Sequence, residues 1–164
     1  MQLSAQGLQL VKNSEGFRSN TYLDIAGLPT IGYGHRLVHP ECYPGGITPA
    51  QACTILQWDL REAEQSVQRL VCVPLNQGQF DALVDFVFNL GSGSLARSTL
   101  LDDLNAGNYA AAAQQLLLWD HSGTTEVPAL LARRQAEFRL FTGSPAEAAA
   151  AQPSSPSAAQ PSAA

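Results

Sequence analysis

No stretch of this sequence stays apolar for the 18 or more residues that a membrane span needs. The start, Met1-Gln2-Leu3-Ser4-Ala5-Gln6, lacks the basic patch and long apolar run of a secretory signal, so the chain is expected to be made and kept in the cytoplasm until something releases it. Cysteine is scarce and odd in number: Cys42, Cys53 and Cys72 cannot build a full disulfide framework. They are read as free thiols of a reducing compartment, or as one disulfide of undetermined pairing with a thiol left over. Positive charge is short as well. Nine Lys and Arg stand against 14 Asp and Glu, a formal net charge of -5, and among them only Arg133 and Arg134 adjoin. That excludes the clustered basic surface needed for nucleic acid.

What is present is a chain of 164 residues, 45% hydrophobic, which can bury a core without metal or disulfide staples. Ser4 caps a first helix bearing Leu8 and Val11, and Gly16 stops it, so Glu15 stands in its last turn. Thr21-Tyr22-Leu23 and Thr30-Ile31-Gly32-Tyr33 read as strands joined through a turn at Ala26-Gly27. Thr48-Pro49-Ala50-Gln51 opens a long helix with a capping box, and about 20 residues would carry it roughly 30 Å. Further helices are expected from Asn76 to Gly91, from Ser98 to Asn105, from the cap Asn108 to about Trp119, and from Pro128 to near Gly143. The expected fold class is α+β: mostly helical, two lobes on a long linking helix, with one small β-hairpin sheet. Residues 1–143 form the folded unit, and residues 144–164, dominated by Ala, Ser, Pro and Gln, are expected to be a disordered tail.

The hairpin brings together candidate chemistry. Glu15 ends the helix that feeds the first strand, Asp24 ends that strand, and Thr30 begins the returning one, so all three can face one cleft. Two carboxylates across a cleft suit glycoside hydrolysis: one protonates the leaving oxygen, the other, ionised, activates water or attacks the sugar. Apolar neighbours such as Phe17 would keep Glu15 protonated, while an exposed turn would keep Asp24 ionised, where it also serves as a turn former. Strand alternation places Thr30, Gly32 and Gly34 on one face, read as open space for a bulky polymer, and Ile31, Tyr33 and His35 on the other, read as core.

His35, His39 and Cys42, with Cys53 nearby, have a ligand-like spacing. Pro40 and Pro44 interrupt it, so no metal or cofactor is expected, and His35 is read as bonding a carboxylate or carbonyl across the hinge. Phe80 and Phe86 read as core, and Phe88 as core or sugar platform. Arg133 and Arg134 read as a solvated face, or as supplying a partner for Glu15 or substrate.

Several ordered motifs resemble phage T4-type lysozymes, glycoside hydrolase family 24. They are Glu15-Gly16-Phe17-Arg18, Tyr22-Leu23-Asp24, and Gly27-Leu28-Pro29-Thr30-Ile31-Gly32-Tyr33-Gly34-His35. Leu75 to Leu83, Phe86 to Gly91, Ser98 to Leu101, Asn105 to Tyr109, Trp119 and Arg133-Arg134 follow in the family's order, over about residues 5 to 143. The resemblance implies cleavage of the β-1,4 bond between N-acetylmuramic acid and N-acetylglucosamine in bacterial peptidoglycan, without a cofactor. It implies Glu15 as general acid, with Asp24 and Thr30 handling the water, and Arg36, Phe88, Ser98 and Gln115 as substrate contacts. It further implies a monomer that binds no nucleic acid and does not insert in membranes, made in the host cytoplasm and reaching the periplasmic wall through a holin pore. Competing readings are a zinc amidase, disfavoured by the lack of a His-Glu-x-x-His motif, a lytic transglycosylase, disfavoured by Asp24 and Thr30, and a non-catalytic wall-binding module.

Overall fold

The computed structural model describes residues 1–24, 26–122 and 125–143. The expected tail lies outside the described residues. The element order is α1 (Ala5–Glu15), β1 (Arg18–Leu23), β2 (Pro29–Gly32), β3 (His35–Arg36), α2 (Pro49–Leu70), α3 (Gln77–Leu90), α4 (Ser92–Ala96), α5 (Thr99–Asn105), α6 (Tyr109–Leu116), β4 (His121–Ser122), β5 (Thr125–Glu126) and α7 (Pro128–Thr142). The expected layout of many helices, one small antiparallel sheet and a long helix is what the chain forms.

The helix starts are set by side chains that satisfy otherwise orphaned N–H groups. Ser4 Oγ accepts from Gly7 N at 3.1 Å. Thr48 with Gln51, and Asn76 with Gln79, each form a complete capping box. Asn108 precedes α6 as expected but makes no side-chain cap bond, and α6 ends at Leu116, leaving Trp119 in the turn beyond.

The core is built around α3. Every residue from Phe80 to Val87 is buried, so this helix is covered on all sides, by α1, α2 and α7. Phe80 and Phe86 are core residues, and Phe86 meets Trp119 edge-on with ring centroids 5.3 Å apart. Burying a side chain of that size contributes about 1.5–3 kcal/mol. The sheet, in the order β1-β2-β3, packs its Ile31 and Tyr33 with Ile47, Ala52 and Leu56 around the start of α2, which runs from the sheet to the helical lobe.

Two expectations change. Strand β1 starts at Arg18, and β3, α4 and the β4-β5 ribbon were not expected; each of those four elements has only two to five residues, too few to carry a period. The face shared by Thr30 and Gly32 is not an open groove. Thr30 is 2% exposed, and a Cβ on Gly32 would lie 3.2 Å from both Ala52 Cβ and Ile47 Cδ1. As the middle strand of a small sheet pressed on a helix, β2 is covered on both faces, and glycine is what permits the backbone to approach α2.

Candidate active site

Glu15 is the last residue of α1, and Gly16, at φ 70°, turns the chain out of the helix and into β1. Its side chain is 24% exposed and its Oε1 accepts from Arg133 Nη1 at 2.8 Å. Its Oε2 faces Gly34, in the turn between β2 and β3: a Cβ there would lie 3.6 Å away. Gly34 also holds φ at 86°, so the backbone favours glycine there, while a Cβ would meet the acid only at ordinary contact distance.

Asp24 closes the other end of β2. Its Oδ1 accepts from Ala26 N at 2.8 Å and Leu28 N at 2.9 Å, shaping the β1-β2 turn. Its Oδ2 lies 3.3 Å from Arg36 Nε. The Leu28 N–H, then the Ala26 N–H and Arg36, hold this carboxyl below its ordinary range against an opposing contribution from burial. Asp24 is therefore both turn former and fixed anion. The sheet register aligns Tyr22, Thr30 and Arg36 in one row, so Thr30 stands beside the arginine that meets Asp24. The Thr30 hydroxyl donates to the Leu28 carbonyl at 3.0 Å.

Behind Glu15 lies a charged cluster that sequence reasoning found only in part. Arg133 and Arg134 are not a solvated face; they are 7% and 0% exposed. Arg133 donates to both oxygens of Asp85, Nε to Oδ2 and Nη2 to Oδ1, each at 2.8 Å, while its third contact goes to Glu15. Burial opposes the charge of Arg133, but Asp85 and Glu15 outweigh it and raise its pKa. Arg134 donates to Glu137 Oε1 at 2.6 Å and to Asn89 Oδ1 at 3.0 Å. Asp85, Asn89 and Glu137 were missed. The available signal was an acid inside the apolar run Leu83-Val84-Asp85-Phe86-Val87, four residues before Asn89, and a Glu four residues after Arg133.

His35 bonds a carboxylate as expected, its Nδ1 lying 2.9 Å from Asp59 Oδ2 on α2, with Nε2 3.2 Å from Glu41 Oε2. Burial lowers the His35 pKa, and the two carboxylates more than restore it, for a net rise. Asp59 is also raised, because its burial outweighs the attraction of His35.

The expected substrate contacts are placed unequally. Arg36 is 65% exposed beside Asp24. Phe88 is half-buried and lines a recess of about 320 Å³ between α2 and the α3-α4 corner, with Asp59, Glu62 and Ser92. Ser98 is buried at the start of α5, donating to Leu95 O and accepting from Leu101 N, and Gln115 is half-buried on α6. Neither is a partner of Glu15, Asp24 or Thr30 among the described residues. Cys42, Cys53 and Cys72 are free thiols. No three His, Cys, Asp or Glu side chains among the described residues gather as metal ligands would.

The profile of the family described as phage lysozyme matches residues 12–137. The chain belongs to the phage lysozyme family. It is thus an enzyme of the glycosidase class. It is 42% identical over 144 residues to the endolysin of Salmonella phage P22, covering 86% of this chain and 98% of that protein. It is 38% identical over 145 residues to the endolysin of Acyrthosiphon pisum secondary endosymbiont phage 1, covering 86% and 98%. Among solved structures, a mutant of P22 lysozyme superposes with a TM-score of 0.79 at 41% identity, covering 87% of this chain and 99% of that one. The muramidase domain of SpmX from Asticaccaulis excentricus superposes with a TM-score of 0.79 at 33% identity, covering 85% and 97%.

Proposed function

We propose that this phage lysozyme family member hydrolyses the β-1,4 bond between N-acetylmuramic acid and N-acetylglucosamine in peptidoglycan, with Glu15 as general acid and Asp24 and Thr30 handling the attacking water. The observation that carries the assignment is the unlike treatment of the two carboxylates at opposite ends of β2. Asp24 is fixed by two backbone N–H groups and a guanidinium, an environment that favours the anion. Glu15 is steered through Oε1 alone, by a guanidinium whose charge Asp85 already meets with two bonds, and Oε2 remains to carry the proton toward the sugar oxygen.

An inverting glycosidase needs a water held between its two carboxylates, and this assignment puts that water beside Asp24. The anion at Asp24 takes a proton from that water as it attacks the anomeric carbon. Thr30 needs only a hydroxyl rotation away from the Leu28 carbonyl to help hold it. Arg36 beside Asp24, Phe88 in the recess and Gln115 on α6 are the substrate contacts with exposed surface to offer, and Ser98 supports them as the buried cap of α5. No helix among the described residues is long and apolar enough to cross a membrane. That agrees with a chain that does not insert in membranes, and the net charge of -5 disfavours nucleic acid as a partner. A monomer that reaches the periplasm from the host cytoplasm through a holin pore completes the proposal. Expressing the chain with and without a holin and timing lysis tests the route.

The test of the chemistry is digestion of purified peptidoglycan in isotope-labelled water by the wild type and Glu15→Gln, with and without chelator. Label entering N-acetylmuramic acid reducing ends, unaffected by chelator and reduced about 10³-fold or more in the variant, is the expected outcome. Anhydro ends would mean transglycosylation, freed stem peptides an amidase. An active Glu15→Gln would remove the acid assigned here.

A further inference from the structure

The cluster behind Glu15 does not balance if every group in it carries its usual charge. Three carboxylates, Glu15, Asp85 and Glu137, meet two guanidiniums, Arg133 and Arg134. Asp85 and Glu137 are both 0% exposed, so water cannot carry the surplus negative charge. The helices packed around them bring nothing to offset it. From α3 comes Asn89; from α6, whose sequence is Tyr-Ala-Ala-Ala-Ala-Gln-Gln-Leu, no charge; on α1, Lys12 lies over the Tyr33 ring; on α2, Arg61 lies over the Trp58 ring and Arg69 donates to Ser66.

The hydrogen bonds say where a proton would sit. Both oxygens of Asp85 are taken by charged N–H donors of Arg133. Oε1 of Glu137 accepts from Arg134, and its Oε2 is buried without a hydrogen-bond partner, as are Nε and Nη1 of Arg134. An oxygen without a donor, next to a saturated carboxylate, is where a hydroxyl belongs, since it turns an unmet acceptor into a donor.

We propose that Glu137 enters this cluster as a neutral acid donating through Oε2 to Asp85, so that two carboxylates face two guanidiniums and Arg133 is held aimed at Glu15. Burial, reinforced by the hydrogen bond and charge of Asp85, raises the Glu137 pKa well above the ordinary carboxylate range, and Arg134 and Arg133 only partly offset this. Glu137 Oε1 stands 3.9 Å from Arg133 Nε, too far to hydrogen-bond yet near enough that an anion there would draw the guanidinium away from Glu15. Neutral, Glu137 leaves that charge to Asp85 and Glu15. It is a positioning residue: it touches neither substrate nor the reacting atoms and acts through Asp85 and Arg133. This role rests on the assignment of Glu15 as the acid; the protonation state does not.

The experiment is carbon NMR of the full chain labelled in glutamate, with the Glu137 carboxyl assigned by its loss in Glu137→Gln. A Glu137 carboxyl resonance at the position of a protonated acid at neutral pH is expected; an ionised carboxylate there overturns the proposal. Activity gives the second readout. The amide of Glu137→Gln can still accept from Arg134 and donate to Asp85, so it should stay within about threefold of wild type with the same pH profile. Glu137→Ala should lose about tenfold or more in kcat, with little change in KM and a shifted acid limb. Folded Glu137→Gln as impaired as Glu137→Ala would equally sink the idea, because only an ionised Glu137 is poorly replaced by an amide. The two readings fail separately: an active Glu15→Gln removes the general acid and leaves the resonance of Glu137 where it is.

Discussion

Replacing Arg133 by Met removes a cation that contacts both Asp85 and Glu15, while keeping a side chain long enough to fill the space. Asp85, 0% exposed, loses two 2.8 Å charged hydrogen bonds at once and has no water to turn to. Removing one partner of a buried pair costs about 3–5 kcal/mol, nearly all of it the orphaned charge. Glu15 is 24% exposed and regains solvent, so its share is about 1 kcal/mol or less. A loss of about 4 kcal/mol in a domain of this size lowers Tm by about 8–16 °C. Circular dichroism melts at neutral pH give the number, and because the pair is buried the loss should vary little with salt. Adding Asp85→Asn to the same chain removes the orphaned charge and should recover about half of the loss, a non-additivity that exposed pairs do not show. A single Arg133→Met variant melting within about 3 °C of wild type would refute the reasoning, since it would mean that Asp85 does not depend on this guanidinium.

Asp24→Asn keeps an oxygen for the Ala26 and Leu28 N–H groups but loses the anion; activity on purified peptidoglycan should fall about 10²-fold or more with no comparable fall in Tm. Gly34→Ala forces a Cβ onto a φ of 86° and places it 3.6 Å from Glu15 Oε2. A cost of about 1–2 kcal/mol in thermal melts is expected, with a loss of kcat that exceeds it. For His35 the folded pKa is raised above 6.5, so the folded state holds its proton more tightly. The stability this adds is complete below pH 6.5 and is lost as pH climbs through the folded value. His35→Asn should therefore show its widest Tm deficit at mildly acidic pH, narrowing at alkaline pH; a deficit that grows with pH would contradict the pairing with Asp59 and Glu41.

What was legible in the sequence was local. Ser4, Thr48 with Gln51, and Asn76 with Gln79 each name a helix start because the capping partner lies within three residues. Glu15, Asp24 and Thr30 could be assigned to a helix end, a turn and a strand because those elements follow one another within a span of 16 residues. Strand β3 could not be read, since two residues have no period, yet it matters: it carries His35 to Asp59 and sets Arg36 opposite Thr30. Alternation also misled at Gly32, where the sequence shows only a missing side chain. That gap is equally consistent with an open groove and with a backbone pressed on a helix, and only the position of Ala52 decides it.

The cluster behind the acid was hidden for a different reason. Arg133 lies 118 residues from Glu15 and 48 from Asp85, separations at which no local pattern speaks. An acid within an apolar helix, such as Asp85, breaks the hydrophobic period, and a pair of arginines on a helix resembles a solvated face. Each irregularity alone is ambiguous. Together they are not, because a buried carboxylate requires a cation, and α7 offers two with a second acid one turn later. That α7 has no clean apolar stripe is itself the signal: a helix that packs on the core while carrying Arg133, Arg134 and Glu137 inward must be binding charge rather than hydrocarbon. The polar face of α7 meets Asp85, the second of two buried acids in α3, and the contact ends at Glu15, so the same charges that dock the last helix also orient the acid.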